Sequence, residues 1–401
     1  RAFNSNSASN VAVTATFADE GKHCNAVFDQ HLQVSNVRAA DASYAKCLQR
    51  NLLPMHNAEM PSAVLDRQQI VFGLAVLASC AVGCSPGLAP CSEQVLRPGD
   101  IVECSVPGWT DRAFTLHLPT AAQTLNGPRG VVIGFHGGAG NRQSTNTSTC
   151  PAGDENSPGC LAALANARGY AVVFPDGTGA RPARNLRTWN AGGGQLVGCV
   201  SGAACRSNVN DAQYFDDLLE QLRSSKLIDV DHVFLTGISN GAAITHRLAC
   251  ERNQAIRAIA AVAGTNQYFA DGGTCAAPMA VLQIHGTEDP CWPFDGGSQS
   301  CLEDVGKKIG VAESMDGWWP RNGCTSMSST TVLNDLDPTD GTTVALQRWQ
   351  GCRKATESLI IQGGGHTWPN GNPYASEDRV GRVTRDVGSE QILQFFEDNR
   401  E

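Results

Sequence analysis

The stretch Asp231–Ala249 constrains this chain more than any other. Val233 to Thr236 is a short apolar run, Gly237-Ile238-Ser239-Asn240-Gly241 reads as a tight turn, and Ala242 to Leu248 has helical spacing. A serine at the centre of Gly-x-Ser-x-Gly between a strand and a helix is held in a strained backbone conformation. The residues two before and two after it must be small, because strand and helix pass close together there. Ser239 Oγ is then presented at the carboxyl end of a sheet, beside a helix N-terminus that stabilises negative charge. In a chain with 42 glycines the five-residue pattern alone says little, and an ordinary Gly-rich turn is the competing reading. The flanking strand and helix are what point to a nucleophile.

The rest of the chain supplies the sheet that such a turn needs. From about Gly99 onward, strand and helix patterns alternate. Strands are expected at Arg112–Pro119, Gly130–Phe135, Tyr170–Phe174, Val233–Leu235, Ala258–Val262, Met279–Ile284 and Leu359–Gln362, and helices at Leu161–Gly169, Asp211–Ser224 and Glu390–Asp398. This alternation predicts an α/β domain over 101–401, with a mainly parallel sheet covered by helices on both faces. Residues 1–100 look different. Arg1–Asn10 is polar, and 24–51 and 62–81 have helical spacing with few strand signals. They predict a small, mostly helical, disulfide-stapled extension. Ile70–Cys80 is apolar but too short to span a membrane, and reads as a buried helix.

The chain has 16 cysteines and a net charge of -9. An even, high cysteine count argues for disulfides and an oxidising, extracellular compartment. Cys80 and Cys84 have a metal-like gap, but no second close pair completes a tetrahedral set, so no metal site is expected. Six cysteines (Cys24, Cys47, Cys80, Cys84, Cys91, Cys104) precede the main domain and are expected to pair among themselves. The remaining ten invite local pairing as Cys150–Cys160, Cys199–Cys205, Cys250–Cys275, Cys291–Cys301 and Cys324–Cys352. The acidic balance and the absence of a basic block exclude nucleic acid and anionic membrane surfaces as natural partners.

A serine nucleophile needs a base to take its proton and an acid to orient that base. In α/β-hydrolases these follow in the order serine, acid, histidine. After Ser239 the apolar run to Ile284 leads into His285-Gly286-Thr287-Glu288-Asp289, where Asp289 is the better acid and Glu288 the alternative. Much later, Gly363-Gly364-Gly365-His366 places His366 on what reads as a flexible glycine loop past another apolar strand. His285 competes as base, but its place at a strand end favours a structural hydrogen-bonding role. His246 on the helix after the nucleophile is also read as structural, and His23, His31, His56, His117 and His232 as surface or packing residues. Two backbone donors are needed for the oxyanion. Asn240 is one; the other is Gly138 in His136-Gly137-Gly138-Ala139-Gly140-Asn141, with Gly137 or Ala139 beside it.

Six motifs in one order complete the pattern: His136-Gly137-Gly138, Pro175-Asp176-Gly177, Trp189-Asn190-Ala191-Gly192-Gly193, Gly237 to Gly241, His285 to Asp289, and Gly363 to Pro369. Over roughly 112–400 the chain thereby resembles the polyhydroxybutyrate depolymerase and feruloyl esterase-like family of secreted esterases. The resemblance implies an α/β-hydrolase fold, an acyl-enzyme mechanism and no cofactor. It carries the triad onto Ser239, Asp289 and His366, and places Trp189 and Asn190 near an acyl pocket. The chain departs from the family in residues 1–100, and it shows no Thr/Ser-rich linker leading to a polymer-binding domain.

The expected activity is ester hydrolysis, on a hydroxyalkanoate ester or on a feruloyl or acetyl ester of plant polysaccharide, with polymeric substrates included. Trp292 and Trp368, with Trp189, Trp318 and Trp319, are candidates for aromatic walls of the site. A serine peptidase on the same fold is a second enzyme reading. A non-catalytic binding protein on a hydrolase scaffold is the reading from another class.

Overall fold

The computed structural model describes residues 14–19, 22–27, 88–181, 185–200, 202–275, 277–299, 301, 306–326 and 330–401. The chain divides into two compact units, Arg1–Gly87 and Leu88–Glu401. In the first, the described residues form an antiparallel ribbon of β1 (Thr14–Asp19) and β2 (Lys22–Val27). Cys24 to Val27, expected in a helix, therefore lies in a strand. The rest of the expected helices, with Ile70–Cys80, falls outside the described residues.

The second unit begins at Leu88 rather than near Gly99. The segment after Leu88 is bound to the first strand of the main sheet, β3 (Ile101–Ser105), by the Cys91–Cys104 disulfide and by Ser105 N–H donating to Ala89 O at 3.1 Å. A sequence boundary drawn on composition cannot see such cross-links.

The sheet of this unit continues through β4 (Ala113–His117), β5 (Val131–Phe135) and β6 (Ala171–Pro175). A short ribbon follows, β7 (Thr178–Arg181) with β8 (Leu186–Thr188). The sheet resumes with β9 (Val233–Ile238), β10 (Ala258–Val262) and β11 (Ala280–Gly286). After a second small ribbon, β12 (Gly296–Gly297) with β13 (Lys308–Ile309), it closes with β14 (Thr330–Val332), β15 (Thr343–Arg348) and β16 (Thr356–Gln362). The ten strands run in the order β14-β15-β16-β11-β10-β9-β5-β6-β4-β3. Those from β16 to β6 are mutually parallel, and an antiparallel pair is added at each edge.

Parallel strands need crossovers, and the helices supply them on both faces. Alternate residues of the central strands feed two separate cores. Val131, Ile133, Leu235 and Ile259 meet Phe215 and Leu218 of one amphipathic helix, and Ile244 and Leu248 of the helix after Ser239. Val132, Val172, Phe234 and Ala260 meet Leu161, Ala165, Ile392 and Phe396 on the other face. The helices concerned are α1 (Leu161–Ala167), α2 (Asp211–Arg223), α3 (Asn240–Glu251) and, after α4 (Val311–Asp316), α5 (Ser389–Asp398). Gly169, at φ 84°, turns the chain out of α1 into β6 as a left-handed helix stop. Among the described residues no helix is long and apolar enough to cross a membrane.

All five local disulfides expected after Cys104 are formed, from Cys150–Cys160 to Cys324–Cys352. They close loops of 6 to 28 residues, Cys250–Cys275 across the central strand β10, and each narrows the unfolded ensemble. Cys47, Cys80 and Cys84 lie outside the described residues.

His136 after β5 and His246 on α3 are among the histidines buried inside this domain. Burial pushes both imidazoles down from 6.5 to about 4. The unfolded chain therefore binds protons that the folded chain refuses. The stability this represents is fully present above about pH 6.5 and is lost as pH falls to about 4, on the order of 3 kcal/mol for each ring. Urea denaturation midpoints should fall steadily across that window. A midpoint flat from pH 7 to pH 4.5 would contradict it.

Candidate active site

Ser239 stands between β9 and α3 with φ 59° and ψ -123°, a left-handed conformation that a serine adopts only when its surroundings impose it. The surroundings are backbone. A Cβ on Gly241 would lie 2.2 Å from Phe135 O, one on Gly237 2.5 Å from Gly241 O, and one on Gly264 2.3 Å from Ser239 O. Strand, turn and helix are thus in direct backbone contact. Ser239 N–H donates to Val262 O at 2.9 Å, which ties the turn to the end of β10.

The loop after β5 lies over this turn, with Gly137 close against Ser239. His136 holds it there. Gly177 N–H donates to His136 Nε2 at 2.9 Å, so Nδ1 carries the hydrogen and donates to Gly137 O at 2.7 Å. Asp176, wholly buried, accepts from Arg142 N–H at 2.9 Å, pairs with the Arg142 guanidinium and lies 3.6 Å from that of Arg187. The Pro175-Asp176-Gly177 motif is therefore the clamp of the His136 loop. Ala139 N–H donates to Arg187 O and Gly140 N–H to Gly137 O, so neither is a candidate oxyanion donor. Gly137 and Gly138 remain, and both line the same cavity as Ser239 and Asn240. Asn240 opens α3, where the first backbone N–H groups have no partner within the helix.

Trp189 and Asn190, expected beside the acyl pocket, are not among its walls. Trp189 N–H donates to Asn240 Oδ1 at 2.7 Å, Asn240 Nδ2 returns to Trp189 O at 3.1 Å, and the Trp189 indole donates to His136 O at 3.0 Å. Asn190 N–H donates to Asp211 Oδ2 at 2.6 Å, and Asp211 pairs in turn with Arg112 at 2.7 Å, both side chains buried. The motif is a pin that fixes the helix N-terminus to the loop. Its partners are far away in sequence, and only folding brings them together.

Asp289 follows β11, and its carboxylate is saturated. Oδ1 accepts from Cys291 N–H at 2.8 Å and Trp292 N–H at 2.7 Å. Oδ2 accepts from His366 Nδ1 at 2.7 Å and has His285 Nε2 at 3.3 Å. Burial works to raise the acid's pKa, but the neighbouring His366 charge and the bonds from both histidines outweigh it, leaving the carboxyl well below its usual range. Glu288 points outward to Arg382, 3.4 Å away. The structure therefore brings Asp289, not Glu288, to His366.

His366 is itself buried, and its N–H donates to Val380 O at 2.5 Å. The glycines before it are not a flexible loop as expected. A Cβ on Gly286 would meet Gly364 O at 2.2 Å, and one on Gly365 would meet Val380 O at 2.1 Å. They are glycines because two backbones touch there.

Ser239, Asn240, Gly138 and His366 line one cavity of about 340 Å³. Trp292, Trp368 and Tyr374 form its aromatic wall, beside the Cys291–Cys301 disulfide. The Trp292 indole donates to Thr265 Oγ1 at 2.9 Å and that of Trp368 to Ser389 Oγ at 3.0 Å. Both rings therefore offer the cavity apolar surface and no free N–H. Trp318 and Trp319 do not line it. Lys308 does, with Nζ 5.6 Å from the Trp292 ring centroid; no sequence motif marked it. Asp289, Cys291 and His366 have ligand atoms within 4.8 Å of one another, but the Cys291 sulfur is bonded to Cys301 and offers no thiolate to a metal.

A parallel sheet carrying a strand–serine–helix elbow, with an acid after a later strand and a histidine after the next, is the α/β-hydrolase fold. No family profile matches the chain. Among known proteins it is 37% identical to a probable feruloyl esterase C of Aspergillus niger over 100 residues, 25% of this chain and 36% of that protein. It is 30% identical to the probable feruloyl esterase C of Aspergillus terreus over 169 residues, 42% of this chain and 55% of that protein. It is 29% identical to a putative esterase, NocK, of Nocardia uniformis over 176 residues, 41% of this chain and 50% of that protein. The chain thus spans about half or less of the relatives it matches. The resemblance read from the motifs holds on its feruloyl esterase side. Among solved structures, an acetyl xylan esterase from Aspergillus awamori superposes with a TM-score of 0.46 at 15% identity, over 75% of this chain and 99% of that one.

Gly241→Ala is the sharpest test of the backbone contact. It should destabilise the domain by about 1–3 kcal/mol or more through forced displacement. Measured by urea denaturation, a loss under about 0.5 kcal/mol, the range of an unconstrained surface site, would show that the helix can retreat.

Proposed function

We propose that this chain is a serine carboxylesterase of secreted type, acting through an acyl-enzyme on feruloyl or acetyl esters of plant polysaccharide. The observation that carries the reading is the 2.7 Å bond from His366 Nδ1 to Asp289 Oδ2 in a cavity shared with Ser239 at its elbow. His366 takes the Ser239 proton through Nε2 as Oγ attacks the ester carbonyl. Asp289 keeps the Nδ1 hydrogen in place and steadies the imidazolium. The N–H groups of Asn240 and Gly138 receive the oxyanion, His366 returns the proton to the departing alcohol, and water then repeats the sequence on the acyl-enzyme. No cofactor enters these steps.

The feruloyl preference is supported by the relatives' names and by apolar aromatic walls suited to a flat ring. The described disulfides support an oxidising compartment. Hydroxyalkanoate esters share the same chemistry and belong in the test.

Purified protein should hydrolyse methyl ferulate or acetylated xylan faster than hydroxybutyrate oligomers and films. Ser239→Ala should reduce turnover by on the order of 10⁶ while circular dichroism stays native. A variant that keeps a few per cent of activity would remove Ser239 from the mechanism. Hydrolysis confined to hydroxybutyrate esters would overturn the substrate class alone.

A further inference from the structure

A sealed chain of hydrogen bonds ends on Trp292 O, and its last ring, His285, lies against Asp289. Trp318, just past α4, donates from Nε1 to His246 Nδ1 at 3.1 Å. His246 Nε2 is 3.1 Å from Gln283 Oε1. Gln283 Nε2 is 3.1 Å from Gly264 O and 3.4 Å from His285 Nδ1. His285 Nε2 lies 2.7 Å from Trp292 O and 3.3 Å from Asp289 Oδ2. Trp318, His246 and Gln283 have no solvent exposure, and His285 has 1%.

Chemistry allows this chain one polarity. An indole N–H can only donate and a backbone carbonyl can only accept. Trp318 therefore makes His246 Nδ1 an acceptor and leaves the hydrogen on Nε2. Gln283 turns its oxygen to His246 and its NH₂ to Gly264 O and His285. His285 then accepts at Nδ1 and carries its hydrogen on Nε2. Trp292 O demands the same hydrogen from the opposite end. Gln283 and His285 share one face of β11, a buried parallel strand where apolar residues are the rule. Polar groups there are unfavourable unless fully paired.

We propose that His285, locked as its Nε2–H tautomer by Gln283, His246 and Trp318, is a positioning residue that holds Asp289 in place for His366. This rests on the proposed role of Asp289 and His366 toward Ser239. The two rings meet the same carboxylate oxygen. Without the His285 hydrogen the carboxylate loses one of its constraints and becomes more basic, which favours the imidazolium form of His366. His285 and His366 touch Asp289 directly. Tyr374 also faces it, with its hydroxyl 3.4 Å from Cys291 Sγ; burial and the Asp289 charge push that phenol up to about 12, against a smaller opposing effect of Arg379. Lys308 lies farther off, over the Trp292 ring.

The test reads two signals: the rate at which a fluorophosphonate modifies Ser239, and kcat, KM and pH profile on the best ester of the panel. Wild-type protein that is not modified refutes the proposed function itself, and with it this inference. With wild type modified, His285→Ala should lower both the modification rate and kcat by about tenfold to a hundredfold. KM should stay within about threefold, since His285 does not itself line the cavity. The acid limb of kcat/KM should move to higher pH. His285→Gln, whose amide can return an N–H near the lost Nε2, should recover most of both. Trp318→Phe keeps an aromatic ring but removes the distant donor together with the indole's smaller ring; it should give a smaller change of the same sign, and it decides the matter if His285→Ala does not fold. Rates within about twofold of wild type in His285→Ala, or in a Trp318→Phe that must stand in for it, would overturn the proposal. So would a slow His285→Ala whose acid limb is unmoved and whose rate His285→Gln does not restore.

Discussion

The rest of this domain depends on a backbone contact with no side chain in it. Gly241 on the first turn of α3 lies directly on the Phe135 and His136 carbonyls at the end of β5. No Cβ fits there. Because helix and strand are that close, the residue joining β9 to α3 must turn through positive φ, and Ser239 is that residue. The same closeness brings the His136 loop over the serine. Strain of about 1–3 kcal/mol at one residue is sustained because three neighbouring strands and a helix over-determine it.

Polar pins keep the pieces from drifting apart. The Trp189–Asn240 exchange, the two-sided His136 ring and the Asp176 cluster join the elbow, the His136 loop and the β7–β8 ribbon. Each is buried, so each group must be satisfied or the whole joint is unfavourable. Beneath them the Arg112–Asp211 pair, with the Arg112 guanidinium 3.4 Å from the Tyr214 ring centroid, anchors Asn190. Motifs that look like substrate contacts in a string of letters are joints in space.

The loops that carry Asp289 and His366 follow the same logic on the other side of the cavity. Asp289 is held by two backbone N–H groups and faced by two rings, and the glycines before His366 lie against Gly286 and Gly381. The Cys291–Cys301 bridge closes the loop that leaves the acid. What the site leaves open is an apolar, aromatic-walled space, since the indole hydrogens that could have recognised a polar group are already spent on Thr265 and Ser389.

By itself the sequence determined the parallel sheet, the elbow and the chain order of serine, acid and histidine. These are written in local periodicity and short spacings, and so are the five disulfides whose partners lie close along the chain. Tertiary structure decided the rest. Asp289 rather than Glu288 meets His366 because of how one loop turns, 77 residues before its partner. Trp189 and Asn190 left the pocket for the core because their partners sit on a different strand and helix. The glycines at 363–365 are tight rather than loose because another backbone lies against them. Gln283 carried a faint sequence signal, a polar residue inside an apolar strand. Its meaning required the helix that brings His246 and the turn that brings Trp318, and a single chain of letters does not say which faces will touch.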